Sequence, residues 1–181
     1  MMKMTKYLMA SMFAAVIGTS SSLVMADVDA EDFIEEASAK NISEIEAAKL
    51  ALDKSTYPAV KTFAQKMITE HSANNTELRS LATRKKVELS DDAELTSKAK
   101  AAILKQRDGE SFDVAYANNQ VSAHKDAIEF YKEAAKSKDN DVRTFAVATL
   151  PKIQHHLQDA EKLVGELAKS DTVDTTAEKN N

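Results

Sequence analysis

The chain has 181 residues, and its 24 Lys and Arg against 29 Asp and Glu give a formal net charge of −5. The absence of cysteine excludes disulfides, thiolate metal ligands and a thiol nucleophile. The acidic balance gives no electrostatic reason to expect nucleic acid as a partner. Three glycines and two prolines are too few for the regular turns of a β-sandwich or barrel, so the composition predicts an all-α protein.

The first 26 residues have the features of a secretory signal peptide. Lys3 and Lys6 precede an uncharged stretch from Tyr7 to Met25, and small side chains stand at its end in Val24-Met25-Ala26. We predict cleavage after Ala26, a periplasmic or secreted location and no stable membrane insertion of the mature chain. The alternative is an uncleaved anchor, because an uncharged stretch of this length could just span a bilayer.

Apolar residues recur at helical spacing in four long segments, at about 29–54, 58–86, 111–137 and 139–168. Pro58 suits the first turn of the second helix, Asp139-Asn140-Asp141 caps the fourth, and Pro151 is expected to kink it. A shorter helical pattern lies at about 90–105, in the connection between the second and third helices. Residues 170–181 form a polar tail that we expect to be disordered, which leaves 27–169 as the folded domain.

An internal repeat relates the first two helices to the last two. Lys54-Ser55, followed by Val60-Lys61-Thr62-Phe63-Ala64, recurs as Lys136-Ser137 and Val142-Arg143-Thr144-Phe145-Ala146, each member displaced by 82 positions. The repeated element is the turn inside each pair, so the chain is predicted to be a four-helix bundle of two related helical hairpins. The connection is long enough for a partly helical crossover, while an up-down-up-down order stays open.

Several polar residues fall in the middle of these apolar faces. At about 100° per residue, the inward-facing set contains one residue near the midpoint of each helix: Glu44, His71, His124 and His156. Their neighbours Asn41, Asp113 and Gln120 also face inward, whereas Glu70 and His155 face solvent. Antiparallel hairpins bring helix midpoints together, so we expect the first four side chains to converge on one buried layer.

Two interpretations of this layer stand. Neutral imidazoles with a carboxylate suit zinc, iron, copper or manganese. The first interpretation is one transition metal ion held by Glu44, His71, His124 and His156, with Asp113, Gln120 and Asn41 orienting the ligands from behind. In the second, each histidine is satisfied by hydrogen bonds, and the layer only fixes helix register in a non-catalytic interaction module of the envelope.

The chain also resembles a known family. Its motifs are Asp32-Phe33, Asn41-Ile42-x-Glu44, Ala64-Gln65-x-Met67-x3-His71, Phe112-Asp113-x2-Tyr116, His124 and Leu150-Pro151-x4-His156-Leu157. Over about Glu31 to Leu167 they are similar to the bacterial domain-of-unknown-function family 4142, which belongs with the ferritin-like bundles. The resemblance implies a ferritin-like fold and an envelope location. It implies little about activity or about a protein partner. A stress-related role belongs to the second interpretation of the layer, in which the protein is a non-catalytic envelope module.

Enzyme activity is the least favoured interpretation. Di-iron bundles use Glu-x-x-His on two helices, but the residues three positions before the inward histidines are Ile68, Val121 and Ile153. A di-iron oxidase or ferroxidase is therefore disfavoured. The sequence also contains no nucleophile–base pair and no phosphate-binding loop.

Overall fold

The computed structural model describes residues 28–89, 102 and 104–178, with side chains up to Lys169. It contains four long α-helices: α1 (Ala30–Lys54), α2 (Pro58–Lys85), α3 (Gly109–Ala134) and α4 (Asn140–Glu178). No strand occurs among these residues, which confirms the all-α prediction. The predicted signal peptide and most of the predicted helical segment at 90–105 lie outside the described residues.

Two of the four described helices, α1 and α4, begin at an aspartate that caps the helix. Asp29 Oδ1 accepts from the backbone N–H groups of Glu31 and Asp32, at 2.9 and 3.3 Å, at the start of α1. Asp139 Oδ1 does the same for Asp141 and Val142, at 2.9 and 3.2 Å, at the start of α4. These side chains satisfy backbone donors that have no partner inside the first turn of a helix.

The sequence repeat corresponds to two equivalent turns. Ser55 and Ser137 are both buried, and each Oγ accepts at 3.1 Å from the backbone N–H of the residue two positions later. The repeated valines, Val60 and Val142, are both fully buried in the next helix. The prediction of two related hairpins is therefore confirmed at the turns.

The two hairpins pack through α2 against α4 and α1 against α3. Phe33, at the start of α1, stacks on Phe130 near the end of α3, with ring centroids 5.3 Å apart. Lys85 Nζ, at the end of α2, lies 2.6 Å from Asp139 Oδ2 just before α4. Both inter-hairpin pairs are therefore antiparallel, so α2 and α3 run in the same direction. This arrangement is a crossover bundle and not an up-down-up-down one.

Helix α4 passes through Pro151 and continues to Glu178. Pro151 and Val147 are both exposed, so the carbonyl four residues earlier, which loses its N–H donor to the proline, lies on the solvent side of the helix. The predicted kink and the predicted disorder of the tail stay predictions.

The interior has three layers along the bundle axis. One apolar cluster contains Phe33, Ile34, Leu78, Leu81 and Val142, and a second contains Val60, Phe63, Phe112, Leu163 and Leu167. Buried polar side chains of all four helices lie between the two clusters. Within the described residues, no helix has both the length and the apolarity needed to cross a bilayer.

Candidate metal centre

Three histidines from three helices meet in the polar layer. His71 on α2, His124 on α3 and His156 on α4 are 7%, 1% and 3% exposed. Their ring centroids lie 5.2 to 5.7 Å apart, and one ring nitrogen from each lies within 4.8 Å of one from each of the others. The predicted convergence of these three side chains is confirmed.

Each imidazole uses one nitrogen to donate a hydrogen bond to an oxygen behind it. His71 Nδ1 lies 2.9 Å from Asn41 Oδ1, and His124 Nδ1 lies 2.8 Å from the Gln120 carbonyl one turn earlier on α3. His156 Nε2 lies 2.7 Å from Glu70 Oε2. Because these oxygens can only accept, each bonded nitrogen carries the proton and the opposite nitrogen carries a lone pair.

A chain of amide groups fixes the orientation of the acceptor at His71. Asn41 Nδ2 donates to Asn74 Oδ1 at 2.9 Å, and Asn74 Nδ2 donates to Thr149 Oγ1 at 3.2 Å. With its NH₂ group used in this way, Asn41 presents its oxygen to the imidazole. The chain links α1, α2 and α4, so the ring of His71 is oriented by three helices.

The opposite nitrogens are buried and have no hydrogen-bond partner among the described residues. They are Nε2 of His71, Nε2 of His124 and Nδ1 of His156. A buried lone pair without a donor costs roughly 1–3 kcal/mol, and three of them occur in one small cluster. They are the atoms that could coordinate a cation.

Burial and mutual repulsion favour the neutral form of His71 and His156. Burial lowers the pKa of His71 well below its usual value, and the positive charges that His124 and His156 would carry lower it further. Burial also lowers the pKa of His156, with His124 adding to the effect, although the hydrogen bond that His156 donates to Glu70 acts in the opposite direction. Neutral imidazole is the form that binds metal ions.

Glu44 lies in the same layer but is engaged elsewhere. It is half-buried and lines the same cavity as the three histidines, and its Oε2 accepts from Gln120 Nε2 at 2.7 Å. The group of ligand atoms within 4.8 Å of one another consists of the three imidazoles and does not include Glu44. The carboxylate expected among the metal ligands therefore stands next to the cluster, held by α3.

The three residues expected to orient the ligands differ in what they contact. Asn41 accepts from His71 through its side chain, whereas Gln120 accepts from His124 through its main-chain carbonyl. Asp113 is buried, but among the described residues it makes no hydrogen bond to an imidazole and its Oδ1 has no partner. Tyr116, one turn along α3, has a buried hydroxyl that likewise finds no partner within the described part of the chain. Burial raises its pKa well above the usual value, and the charge of Glu44 adds to this shift.

A cavity of about 80 Å³ adjoins the cluster. The three histidines line it, and so do the exposed residues Asp126 and Lys152. The cavity therefore extends from the side of the histidine cluster toward solvent.

Glu70 was predicted to face solvent beside His71, and this prediction is wrong for its carboxylate. Its side chain is 39% exposed, but Oε2 reaches inward to His156. Lys66 Nζ lies 3.9 Å from the other oxygen of Glu70 and 2.7 Å from Asp159 Oδ2. His155, the predicted outward histidine, has a 62% exposed side chain and joins this surface group through Asp159 at 3.1 Å.

Asn74 and Thr149 were missed although helical spacing could have identified them. Asn74 follows His71 by three residues and Thr149 precedes His156 by seven, so each shares the inward face of its histidine. Glu70 gives no such signal, because a glutamate on the flank of a helix is usually solvated.

Comparison with family models matches residues 16–163 to a family described as Domain of unknown function (DUF4142). No curated protein and no solved structure matches the chain.

Proposed function

Because the chain belongs to the DUF4142 family, whose description assigns no activity, we propose from the geometry of the buried cluster that it binds one transition metal ion. The ligands are His71 Nε2, His124 Nε2 and His156 Nδ1, the three nitrogens that have lone pairs and no partner. The rings are already oriented by hydrogen bonds on their far sides, as ligating histidines are in metal sites.

Two observations carry the proposal. One nitrogen of each ring lies within 4.8 Å of one nitrogen of each of the other two rings, and each ring has one buried nitrogen with no hydrogen-bond partner among the described residues. A water molecule has only two protons, so one water at this point satisfies at most two of the three nitrogens. A single cation satisfies all three. Three unpartnered acceptors on neighbouring rings are more than a layer that only fixes helix register requires, and this supports the metal site over the structural alternative.

The histidines are close enough for one ion to draw their nitrogens together. Three nitrogens about 2.0–2.1 Å from a tetrahedral zinc lie about 3.3 Å from one another, so nitrogens up to 4.8 Å apart have to approach one another when they bind it. Neutral imidazoles suit zinc, copper and iron. The positions three residues before the histidines are apolar, and Ile153 among them is buried, so the Glu-x-x-His pattern of di-iron bundles does not occur at these histidines.

Elemental analysis of protein purified without chelators tests the proposal. We expect about one equivalent of a transition metal in the wild type and under about a tenth in the His71→Ala/His156→Ala variant, because one imidazole alone cannot retain the ion. The matched control is His155→Ala, which removes the exposed neighbour and keeps the metal. Equal metal contents in the wild type and the double variant would contradict the site, and so would a metal-free wild type.

We also propose that the protein is exported and that its bundle belongs to the ferritin-like group. Export is supported by the basic, uncharged and small-residue segments of positions 1–26. The ferritin-like assignment is supported by the parallel course of α2 and α3, since bundles of that group have one long crossover.

A further inference from the structure

We infer that the metal ion keeps an open coordination position facing the adjacent cavity, and that this position binds a small monovalent anion. This inference rests on the proposed metal site and adds the chemistry of its exchangeable ligand. It is carried by the number of protein ligands, the size of the cavity and the charges that line it.

The protein provides three ligands and not four. The close group contains only His71, His124 and His156 among the described residues, and the nearest candidate for a fourth, Glu44, is held by the amide of Gln120 at 2.7 Å. Zinc sites with three protein ligands hold water or substrate in the remaining position, whereas structural sites use four protein ligands.

The cavity limits the size of that exchangeable ligand. One water needs about 10–15 Å³ of accessible volume, so about 80 Å³ admits a ligand of a few heavy atoms. Pockets for larger organic ligands are typically about 300–1,000 Å³. A short anion fits beside the ion, and an aromatic or longer organic acid does not.

The charges favour an anion over a neutral ligand. Two lysines, Lys40 and Lys152, and three carboxylates, Glu44, Glu70 and Asp126, line the cavity. Both lysines pair with carboxylates outside the cavity, Lys40 with Glu36 at 3.1 Å and Lys152 with Glu77 at 3.7 Å. Because the three ligating imidazoles are neutral, no protein ligand offsets the charge of a divalent ion. An anion in the open position offsets part of that charge within a partly desolvated space, where charge balance matters more than in water.

The cavity also contains hydrogen-bond donors for such a ligand. Thr149 Oγ1 accepts from Asn74, and its own proton takes part in no hydrogen bond among the described residues. Tyr131 lines the cavity as well, and burial raises the pKa of its hydroxyl, so that this group stays protonated and can donate.

Cobalt-substituted protein tests the inference, because the visible spectrum of Co²⁺ reports its coordination. The full chain is loaded with Co²⁺ and titrated with azide, a short monovalent anion, and in parallel with benzoate, which is too large for the cavity. We expect a saturable spectral change with one azide per cobalt and none with benzoate. In the Ala127→Leu variant, whose new side chain enters the cavity, we expect azide affinity to fall about tenfold or more.

The matched control is Ser122→Leu, an equally large addition at an exposed position of the same helix that does not line the cavity. It should bind cobalt and azide as the wild type does. A cobalt-loaded protein that does not respond to azide would overturn the inference and leave the metal site standing, as expected if Glu44 closed the fourth position. If Ala127→Leu bound azide as tightly as the wild type, the anion would not occupy this cavity and the inference would be overturned. Failure to bind cobalt at all would overturn the metal site itself, and this inference with it.

Discussion

Each imidazole of the cluster has its tautomer fixed by a different kind of oxygen. His71 donates to an amide oxygen, His124 to a main-chain carbonyl and His156 to the carboxylate of Glu70. A carboxylate behind an imidazole makes the ring a stronger electron donor than a neutral acceptor does. The three ligand nitrogens are therefore unequal, because only His156 has a carboxylate behind its ring.

The protonation of His71 makes the metal-free protein sensitive to acid. The ring faces His124 from α3 and His156 from α4, and the carboxylates of Glu44 and Glu70 line the same cavity. Because its pKa is lowered in the folded state, the unfolded chain binds the proton more readily below about pH 6.5. The free energy of unfolding should therefore fall as the pH drops below about 6.5, by at most about 1.4 kcal/mol per pH unit for this histidine.

Urea unfolding of the chelator-treated protein between pH 7 and 5 measures this slope. His71→Gln removes the titrating group and should flatten the dependence, while His155→Gln, at an exposed position, should leave it unchanged. An identical slope in His71→Gln and the wild type would show that other groups cause the acid sensitivity.

At the scale of the helix, Asp139 performs two functions at the start of α4. Its Oδ1 caps the helix, and its Oδ2 lies 2.6 Å from Lys85 of α2. The hydrogen bond from Lys85 lowers the pKa of Asp139, so the carboxylate stays charged. We expect Asp139→Ala to lower the free energy of unfolding by about 0.5–2 kcal/mol, mainly through the lost cap.

Asp139→Asn separates the two contributions, because asparagine caps a helix about as well as aspartate but cannot pair with a lysine as an ion. Chemical denaturation should show most of the loss in the alanine variant and little of it in the asparagine variant. Equal losses in both would assign the effect to the ion pair instead.

Helical periodicity was sufficient to predict the four helices and the inward histidines. It works for His71 and His124 because both lie in the middle of a continuous apolar face, where the angular position of a residue around the helix axis determines whether it is buried. It failed for Glu70 because a long side chain on the flank of α2 bends toward the partner helix α4, and the spacing along one helix contains no information about its neighbour. The hydrogen bond that holds Glu44 was missed for the same reason, since its donor Gln120 lies on α3.

For the molecule as a whole, export is the prediction that the described residues do not test. Signal peptidase requires small side chains at the third-last and last positions before the cut, which are Val24 and Ala26 respectively. We expect protein recovered from a bacterial host expressing the full chain to begin at Asp27, as read by intact mass. Ala26→Leu should accumulate the uncleaved precursor, whereas Met25→Leu, at the tolerant position between them, should be processed normally. A wild-type protein that keeps Met1 would contradict the assignment.

The repeated turns relate the two helical hairpins to each other, but the three histidines of the cluster do not follow this relation. The displacement of 82 positions that carries Val60 onto Val142 also carries His71 onto Ile153 and Asn74 onto His156. If both hairpins descend from one ancestral hairpin, a histidine gained before the duplication would have left a counterpart in each half. Neither His71 nor His156 has a histidine at the equivalent position. The histidine cluster is therefore not repeated with the turns, and within the described residues the equivalent positions form no second group of three histidines.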